Sequence, residues 1–235
     1  MPSESIVKPR PFRGFRAKTV IYIPCDLPSG PIEAGLKKNS RFRKDLRFCV
    51  LYMVNNQIVI AGALGAPAAT LALEPLIAAG VKDIILLGFC GSLSERLAIA
   101  DIVSVTRAFS DEGTSKHYRP RRSAFLASAG LRSEVEGVLR ASGLEFKRGK
   151  IVSTDAPCRE TRPWLEKNRR RGAEVVDMET SAVFALAQYH GIRAASLQVV
   201  SDELASGKWK SGFSSRLLVE RSRRAFFPLL FGVER

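Results

Sequence analysis

Two acidic residues stand out by type and spacing. Glu179 follows Met178 in the run Val176-Asp177-Met178-Glu179-Thr180-Ser181-Ala182, where a short apolar stretch gives way to a helical pattern. Asp202 follows Ser201 at the end of the next apolar stretch, 194–200. In an open α/β sheet, residues at the carboxyl ends of strands line the crevice where small molecules bind. The order strand, helix, strand therefore predicts that Glu179 and Asp202 look into one pocket. One carboxylate there can accept hydrogen bonds from sugar hydroxyls while the other manages a proton, a division of labour suited to breaking a sugar-to-base bond. Taken singly, each has a plainer use: Glu179 suits the positive end of its helix, and Asp202 a loop or a helix cap.

The elements that must position this pair read as alternating strands and helices. Residues 19–24, 48–54, 57–61, 82–87, 101–106, 150–153 and 194–200 are predicted strands, the second and third joined by a turn at Asn55-Asn56. Helices are predicted over 68–79, 123–142, 179–190 and 213–231, with Pro75 weakening the first and Pro228 breaking the last. Near-continuous apolar strands point to a mixed or parallel sheet covered on both faces. Gly88-Phe89-Cys90-Gly91-Ser92 stops the strand 82–87 and reads as a turn whose amides could approach a phosphate or sugar. Gly62-Ala63-Leu64-Gly65-Ala66-Pro67 allows the same reading, and in both a tight turn is the plainer one.

At 235 residues the chain is long enough for one large α/β domain, and its 46% hydrophobic content is that of a globular protein. No apolar run is long and uninterrupted enough to span a bilayer, and the first residues lack a basic and apolar leader, so a cytoplasmic location is expected. Cys25, Cys49, Cys90 and Cys158 are scattered without metal-site spacing, which predicts reduced thiols. With His117 and His190 as the only histidines, no metal centre is expected. The net charge of +14 is spread over segments that lack interleaved aromatics, so solvated basic surface is favoured over a nucleic-acid platform.

The two glycine runs, Glu112-Gly113-Thr114-Ser115-Lys116-His117-Tyr118, Ser153-Thr154-Asp155-Ala156-Pro157-Cys158-Arg159-Glu160-Thr161, Met178-Glu179 and Ser201-Asp202 fall in this order between about Val20 and Leu204. So arranged, they resemble the nucleoside phosphorylase family of the purine-nucleoside and uridine phosphorylase type. That family also holds the methylthioadenosine and adenosylhomocysteine nucleosidases. The resemblance implies an α/β fold of a single domain at residues 18–235, with a mixed, partly barrel-like central sheet flanked by helices, after a basic arm at residues 1–17. It implies that Asp202 protonates, or shares a proton with, the purine N7, and that Glu179 accepts from the ribose 2′- and 3′-hydroxyls. Met178 would pack under the sugar, with Leu64 where the family often has another methionine. Phe89, Cys90 and Gly91 would line the base and sugar crevice, with Asp177 and Ser201 in the same binding set.

Departures from the family pattern bear on the acceptor. The places of the two phosphate-holding arginines are taken by Ser29 and Leu86, and the hydroxyl residue of the second glycine run is Phe89. Arg47 is the candidate replacement, and Asp26, beside Cys25, is the candidate for activating water. The phosphate or water site is thus expected among Cys25, Asp26, Ser29 and Arg47. The Gln-x-Arg that reads uracil in uridine phosphorylases is missing near 155–162, and Asp202 favours purine-type bases. The expected activity is cleavage of a purine-like nucleoside by phosphate, giving a free base and ribose 1-phosphate, with hydrolysis as the close alternative. A non-catalytic nucleoside or nucleic-acid binder is the distant one. No cofactor is expected beyond inorganic phosphate as co-substrate, and no membrane partner. The resemblance also implies a homo-oligomer, a dimer, trimer or hexamer in which a neighbour completes each site.

Overall fold

The computed structural model describes residues 5–12, 17–27 and 30–232. In chain order its first elements are β1 (Thr19–Ile23), α1 (Pro31–Asn39), β2 (Phe42–Asp45), β3 (Cys49–Val54), β4 (Gln57–Gly62), α2 (Ala66–Ala78) and β5 (Asp83–Ser92). Then come β6 (Ile102–Asp111), α3 (Ser115–Tyr118), β7 (Ala124–Leu126), α4 (Ala129–Ala141) and β8 (Lys147–Thr154). A 3-10 turn at Pro157–Arg159 leads to α5 (Arg162–Arg170), β9 (Val175–Asp177), α6 (Thr180–His190), β10 (Arg193–Glu203), β11 (Lys210–Ser211) and α7 (Arg216–Phe231).

Among the described residues the strands form one sheet in the order β11-β10-β6-β8-β9-β5-β1-β4-β3-β2, with β7 attached to β6. Because β10 also pairs with β5, the strands β5, β10, β6, β8 and β9 close into a barrel, from which β1 to β4 extend as a wing. The sheet is mixed: β5 is parallel to β1 and β10 but antiparallel to β9. Side chains alternate across it as strand geometry demands. Val20 and Tyr22 of β1 join a core with Leu73 and Leu76 of α2 and Phe184 and Leu186 of α6. Ile21 and Ile23 join a second core with Ile32 of α1, Leu131 of α4 and Phe226 of α7. Each such side chain, fully buried, contributes about 1.5–3 kcal/mol. This two-sided burial is why the strands read as continuous apolar runs.

Strand β5 does not stop at Leu87 but continues through Gly88-Phe89-Cys90-Gly91-Ser92. The glycines mark close approach rather than a turn. A Cβ on Gly88 would lie 2.7 Å from Gln198 Oε1 of the neighbouring β10, and one on Gly91 would lie 2.7 Å from Leu204 Cδ1. Other boundaries shift for similar tertiary reasons. Residues 124–126 form β7, with Phe125 buried and paired to Ala108 of β6, so α4 begins only at Ala129. Helix α7 runs unbroken past Pro228, which sits in its last turn and forfeits a single backbone donor there. Elements α1, β2 and α5 lie in charged segments with too little apolar periodicity to be read from sequence. Residues 5–12 form no helix or strand, although Phe12 packs against the first core. No helix among the described residues is long and apolar enough to cross a membrane.

The glycine argument is testable with two substitutions of the same chemistry. Gly88→Ala overpacks the β5–β10 seam and is expected to cost about 1–3 kcal/mol, a fall in Tm of roughly 2–4 °C per kcal/mol at this chain length. Gly137→Ala, in the interior of α4 with nothing within 4 Å of the new methyl, should stabilise by about 0.5–1 kcal/mol. Calorimetric melts of the two variants check this, and a Gly88→Ala protein melting at or above the parent would refute the close approach.

Candidate active site

The short strand β9 delivers Asp177 beside Ser153 of β8. Ser153 Oγ–H donates to Asp177 Oδ1 at 2.6 Å, while the Thr180 N–H donates to Oδ2 at 2.9 Å and the Thr180 hydroxyl reaches the same oxygen. Burial pushes the Asp177 carboxyl up, against the lowering effect of these hydrogen bonds. Both its oxygens are engaged by the chain, so Asp177 anchors the turn into α6 and sets the direction of the next two residues. Met178 is half-buried there.

Glu179 lies at the head of α6 with 4% of its surface exposed. Its Oε1 accepts the Gly65 N–H at 2.6 Å. Gly65 has φ +91°, a conformation that favours glycine, and it closes the loop between β4 and α2. That loop is held from beneath by Tyr22 Oη–H, which donates to the Ala63 carbonyl at 2.7 Å. No cation pairs with Glu179 among the described residues, and its pKa is raised by burial first and by Asp177 second. Cys25, pushed up to about 12 by burial and then by Glu179 and Asp26, is a neutral thiol on the same side. Leu64 is 56% exposed at the rim of the loop.

Asp202 arrives on the neighbouring side of β5. The β5–β10 register is irregular between Val200 and Asp202, placing Asp202 opposite Gly91, and Gly91 in turn faces Val176 of β9. Such irregularities re-aim side chains. Asp202 and Asp177 thus stand about two strand spacings apart, roughly 10 Å of backbone, with the buried Cys90 between them. The Cys90 thiol is raised by burial, then by Asp177 and Asp202. Ser201 Oγ lies 2.7 Å from Asp202 Oδ1 and 3.2 Å from the Cys90 carbonyl. The Trp209 indole N–H donates to Asp202 Oδ2 at 2.9 Å. Phe89 is half-buried one residue before Cys90, its ring 5.8 Å from that of Phe226 in α7.

A third carboxyl lies within electrostatic reach of Asp202. Glu160, just after the 3-10 turn, is pushed up to about 7 by burial and then by Asp202. Neither Glu160 nor Trp209 belongs to the site expected from sequence. Each is brought in by a loop whose path no periodicity encodes, and an acidic residue within the motif at 153–161 was the one available signal. The crevice therefore presents Glu179, Asp202 and Glu160, an acidic surface fit to bind hydroxyls and to hold a proton.

The remaining candidates divide sharply. Asp26 is committed to the fold: its Oδ1 accepts the Leu27 N–H at 2.7 Å, and its Oδ2 accepts the Ile32 and Glu33 N–H groups at 3.0 and 2.8 Å, capping α1. Burial nonetheless raises its pKa, partly opposed by those amides. Arg47 is exposed in the turn between β2 and β3 at φ +73°, next to Phe48, whose carbonyl accepts the Ala63 N–H at 3.1 Å. It therefore borders the loop that carries Gly65, and its guanidinium makes no ion pair among the described residues. Ser29 lies outside the described residues. Leu86 is fully buried in the first core. Glu112 accepts from the hydroxyls of Ser110, Ser115 and Ser181 and the amides of Thr114 and Ser115, tying its loop to α6. Burial alone would raise Glu112, but those hydrogen bonds outweigh it and hold the carboxyl below its ordinary range. A cleft of about 1120 Å³ along α7 shares no residue with this site.

Comparison with known proteins bears on the family and the fold. The sequence pattern of the phosphorylase superfamily matches residues 32–226. A guanosine phosphorylase from Halorubrum lacusprofundi is 30% identical over 165 residues, covering 70% of this chain and 68% of that protein. The purine nucleoside phosphorylase of Toxoplasma gondii, solved in complex with immucillin-H, superposes with a TM-score of 0.78 at 20% identity over 98% of this chain and 96% of that one. The 5′-methylthioadenosine/S-adenosyl homocysteine nucleosidase of Helicobacter pylori does so with a TM-score of 0.69 at 21% identity over 90% and 97%. Both structures share the fold. Matched from the start of α1 into α7, the chain belongs to the phosphorylase superfamily.

Proposed function

We propose that this crevice cleaves the N-glycosidic bond of a purine nucleoside, with Glu179 holding the ribose and Asp202 handling the proton of the base. The observation that carries this reading is the contrast between the two carboxylates across Gly91. Glu179 is buried and has no cation beside it among the described residues, so its carboxylate is disfavoured by burial and then by Asp177 until two vicinal hydroxyls donate to it. Asp202 is only partly buried, with its oxygens oriented by Ser201 and Trp209. Bond breaking leaves positive charge on the sugar and negative charge on the departing base. A proton delivered to the base nitrogen lets the base leave neutral, an effect worth about 10²–10⁴ in rate. Met178 and Leu64 would pack against the sugar, and Phe89, Cys90 and Gly91 would line the crevice, with Asp177 and Ser201 acting as positioning residues.

Phosphate is the acceptor this reading favours. Asp26 spends both oxygens on amides and is poorly placed to activate water, whereas Arg47 borders the Gly65 loop with its charge uncommitted. The named guanosine phosphorylase relative supports the same choice. Hydrolysis is the second reading, favoured by the burial of Leu86 where a phosphate-binding arginine would be sought. The exposed Leu64 and Phe48 beside Arg47 suit a homo-oligomer in which a neighbour covers this rim. No cofactor is needed.

Base release from inosine, guanosine and adenosine, measured with and without phosphate, separates the readings. Release that depends on phosphate, with the phosphate KM raised at least about tenfold in Arg47→Ala and the nucleoside KM little changed, is expected; phosphate-independent release makes the protein a nucleosidase. Asp202→Asn should lower kcat by about 10²–10⁴, and an unaffected rate would remove Asp202 from the chemistry.

Glu179→Gln should lower kcat/KM by about 10²–10⁴, the loss of charge-assisted hydrogen bonds to two hydroxyls. Stability should move the other way. Because the folded pKa of Glu179 lies above its ordinary 4.5, the native state is most stable below that value and loses stability as pH rises and the carboxylate must ionise. The Gln variant escapes this loss, so its Tm should exceed the parent's at pH 8 and converge with it near pH 5. Parallel melts across that range, showing no pH-dependent gap, would contradict the assignment of an unpaired buried carboxylate.

A further inference from the structure

Trp209 is the exposed side chain that holds Asp202 Oδ2. It is 67% exposed, yet its indole N–H is aimed inward onto Asp202 Oδ2 at 2.9 Å. The loop that carries it is pinned at both ends. At the start, the Leu204 N–H donates to the Ser92 carbonyl at 2.8 Å, and the Arg169 guanidinium holds the Ala205 carbonyl at 2.5 Å. At the far end, β11 pairs with β10 through Asp202 with Ser211 and Glu203 with Lys210, and the Gly212 N–H donates to the Ser201 carbonyl at 2.9 Å. Between these posts the indole lies over the Asp202 end of the crevice.

The division of the Asp202 oxygens gives this placement its meaning. Ser201 faces Oδ1, so Oδ2 is the oxygen left for a substrate, and that is the one the indole occupies. An indole N–H donates and cannot accept, so it stands where a donor on the substrate, or a proton shared with the base, would stand. We propose that Trp209 is a positioning residue that keeps Asp202 Oδ2 aimed into the crevice, yields that oxygen to the purine as it enters, and then covers the face of the base with its ring. This rests on Asp202 being the group that meets the base. Glu160, which Asp202 raises electrostatically, follows β8 and makes no hydrogen bond to Asp202 among the described residues.

Because Trp209 is exposed, its variants leave the core intact, which melts would verify. Trp209→Phe keeps the ring and loses the N–H; kcat should fall about fivefold, the worth of a single hydrogen bond, with the nucleoside KM within about threefold of the parent. Trp209→Ala loses both, and the nucleoside KM should rise at least about tenfold, in the range that base stacking on an aromatic commands. Fluorescence gives an independent readout. Titration with hypoxanthine or adenine should change the indole emission of the parent and of Trp164→Phe, and not that of Trp209→Phe. If Asp202→Asn is inactive while both Trp209 variants match the parent in kcat and KM, the role of Trp209 is overturned and the reading of the site stands. If Asp202→Asn is itself fully active, the reading fails, and this proposal with it.

Discussion

The pairing of β5 with β10 is the contact on which the other features depend. Ten residues of β5, Asp83 to Ser92, pair with Arg193 to Glu203 of β10, with one irregularity between Val200 and Asp202, and this seam turns an open sheet into a closed barrel. The same seam carries Asp202 to Gly91 and, through Gly91, to within reach of β9. Closure at such short range is possible because Gly88 and Gly91 bring no side chain to it. β9 runs antiparallel to β5, so its carboxyl end returns to the level of Cys90 rather than projecting past it. The familiar rule that ligands meet the carboxyl ends of parallel strands thus covers β5 and β10, while Asp177 and Glu179 reach the crevice by the mixed topology.

Three buried glutamates show how the fold assigns different tasks to one residue type. Glu136 of α4 is out of solvent but sits among Arg148, Arg132 and Arg140 with the Ser104 hydroxyl, and the Arg148 hydrogen bond leads the effects holding it below the ordinary range. Glu112 is satisfied by hydroxyls and amides. Glu179 has neither a cation nor a set of hydroxyls among the described residues, and its carboxyl is pushed up by burial and then by Asp177. A buried charge left unpaired is costly, and such groups concentrate where a ligand completes them. The contrast singles out Glu179 by physics as well as by position.

Hydrogen-bond accounting also separates carboxylates that resemble catalytic groups from those free to act. Asp26, half-buried, and Asp177, buried, are acids close to the crevice, yet one caps α1 and the other caps the start of α6. Asp202 differs because one of its partners, Trp209, is an exposed side chain on a loop rather than a fixed backbone amide. A fixed amide holds a carboxylate to the fold; a side chain at the surface can let it go.

Much of this was legible in the chain itself. The apolar runs at 19–24, 48–61, 82–87 and 194–200 specify β1, β3, β4, β5 and β10 because strands buried on both faces have no polar side to show. The spacing of Glu179 and Asp202 around one helix also marks two acids at the ends of consecutive strands, β9 and β10, which flank β5 in the barrel. Charged elements such as α1, β2 and α5 were hidden, since their stability comes from caps and neighbours rather than from an apolar stripe. The tertiary structure alone decided that the 88–92 run is strand, that Asp26 is spent on amides and Asp177 on hydroxyls and an amide, and that Trp209 meets Asp202. Local pattern reports what a segment prefers to bury or expose. Which polar groups end within hydrogen-bonding distance is settled by barrel closure, which joins segments that lie far apart along the chain.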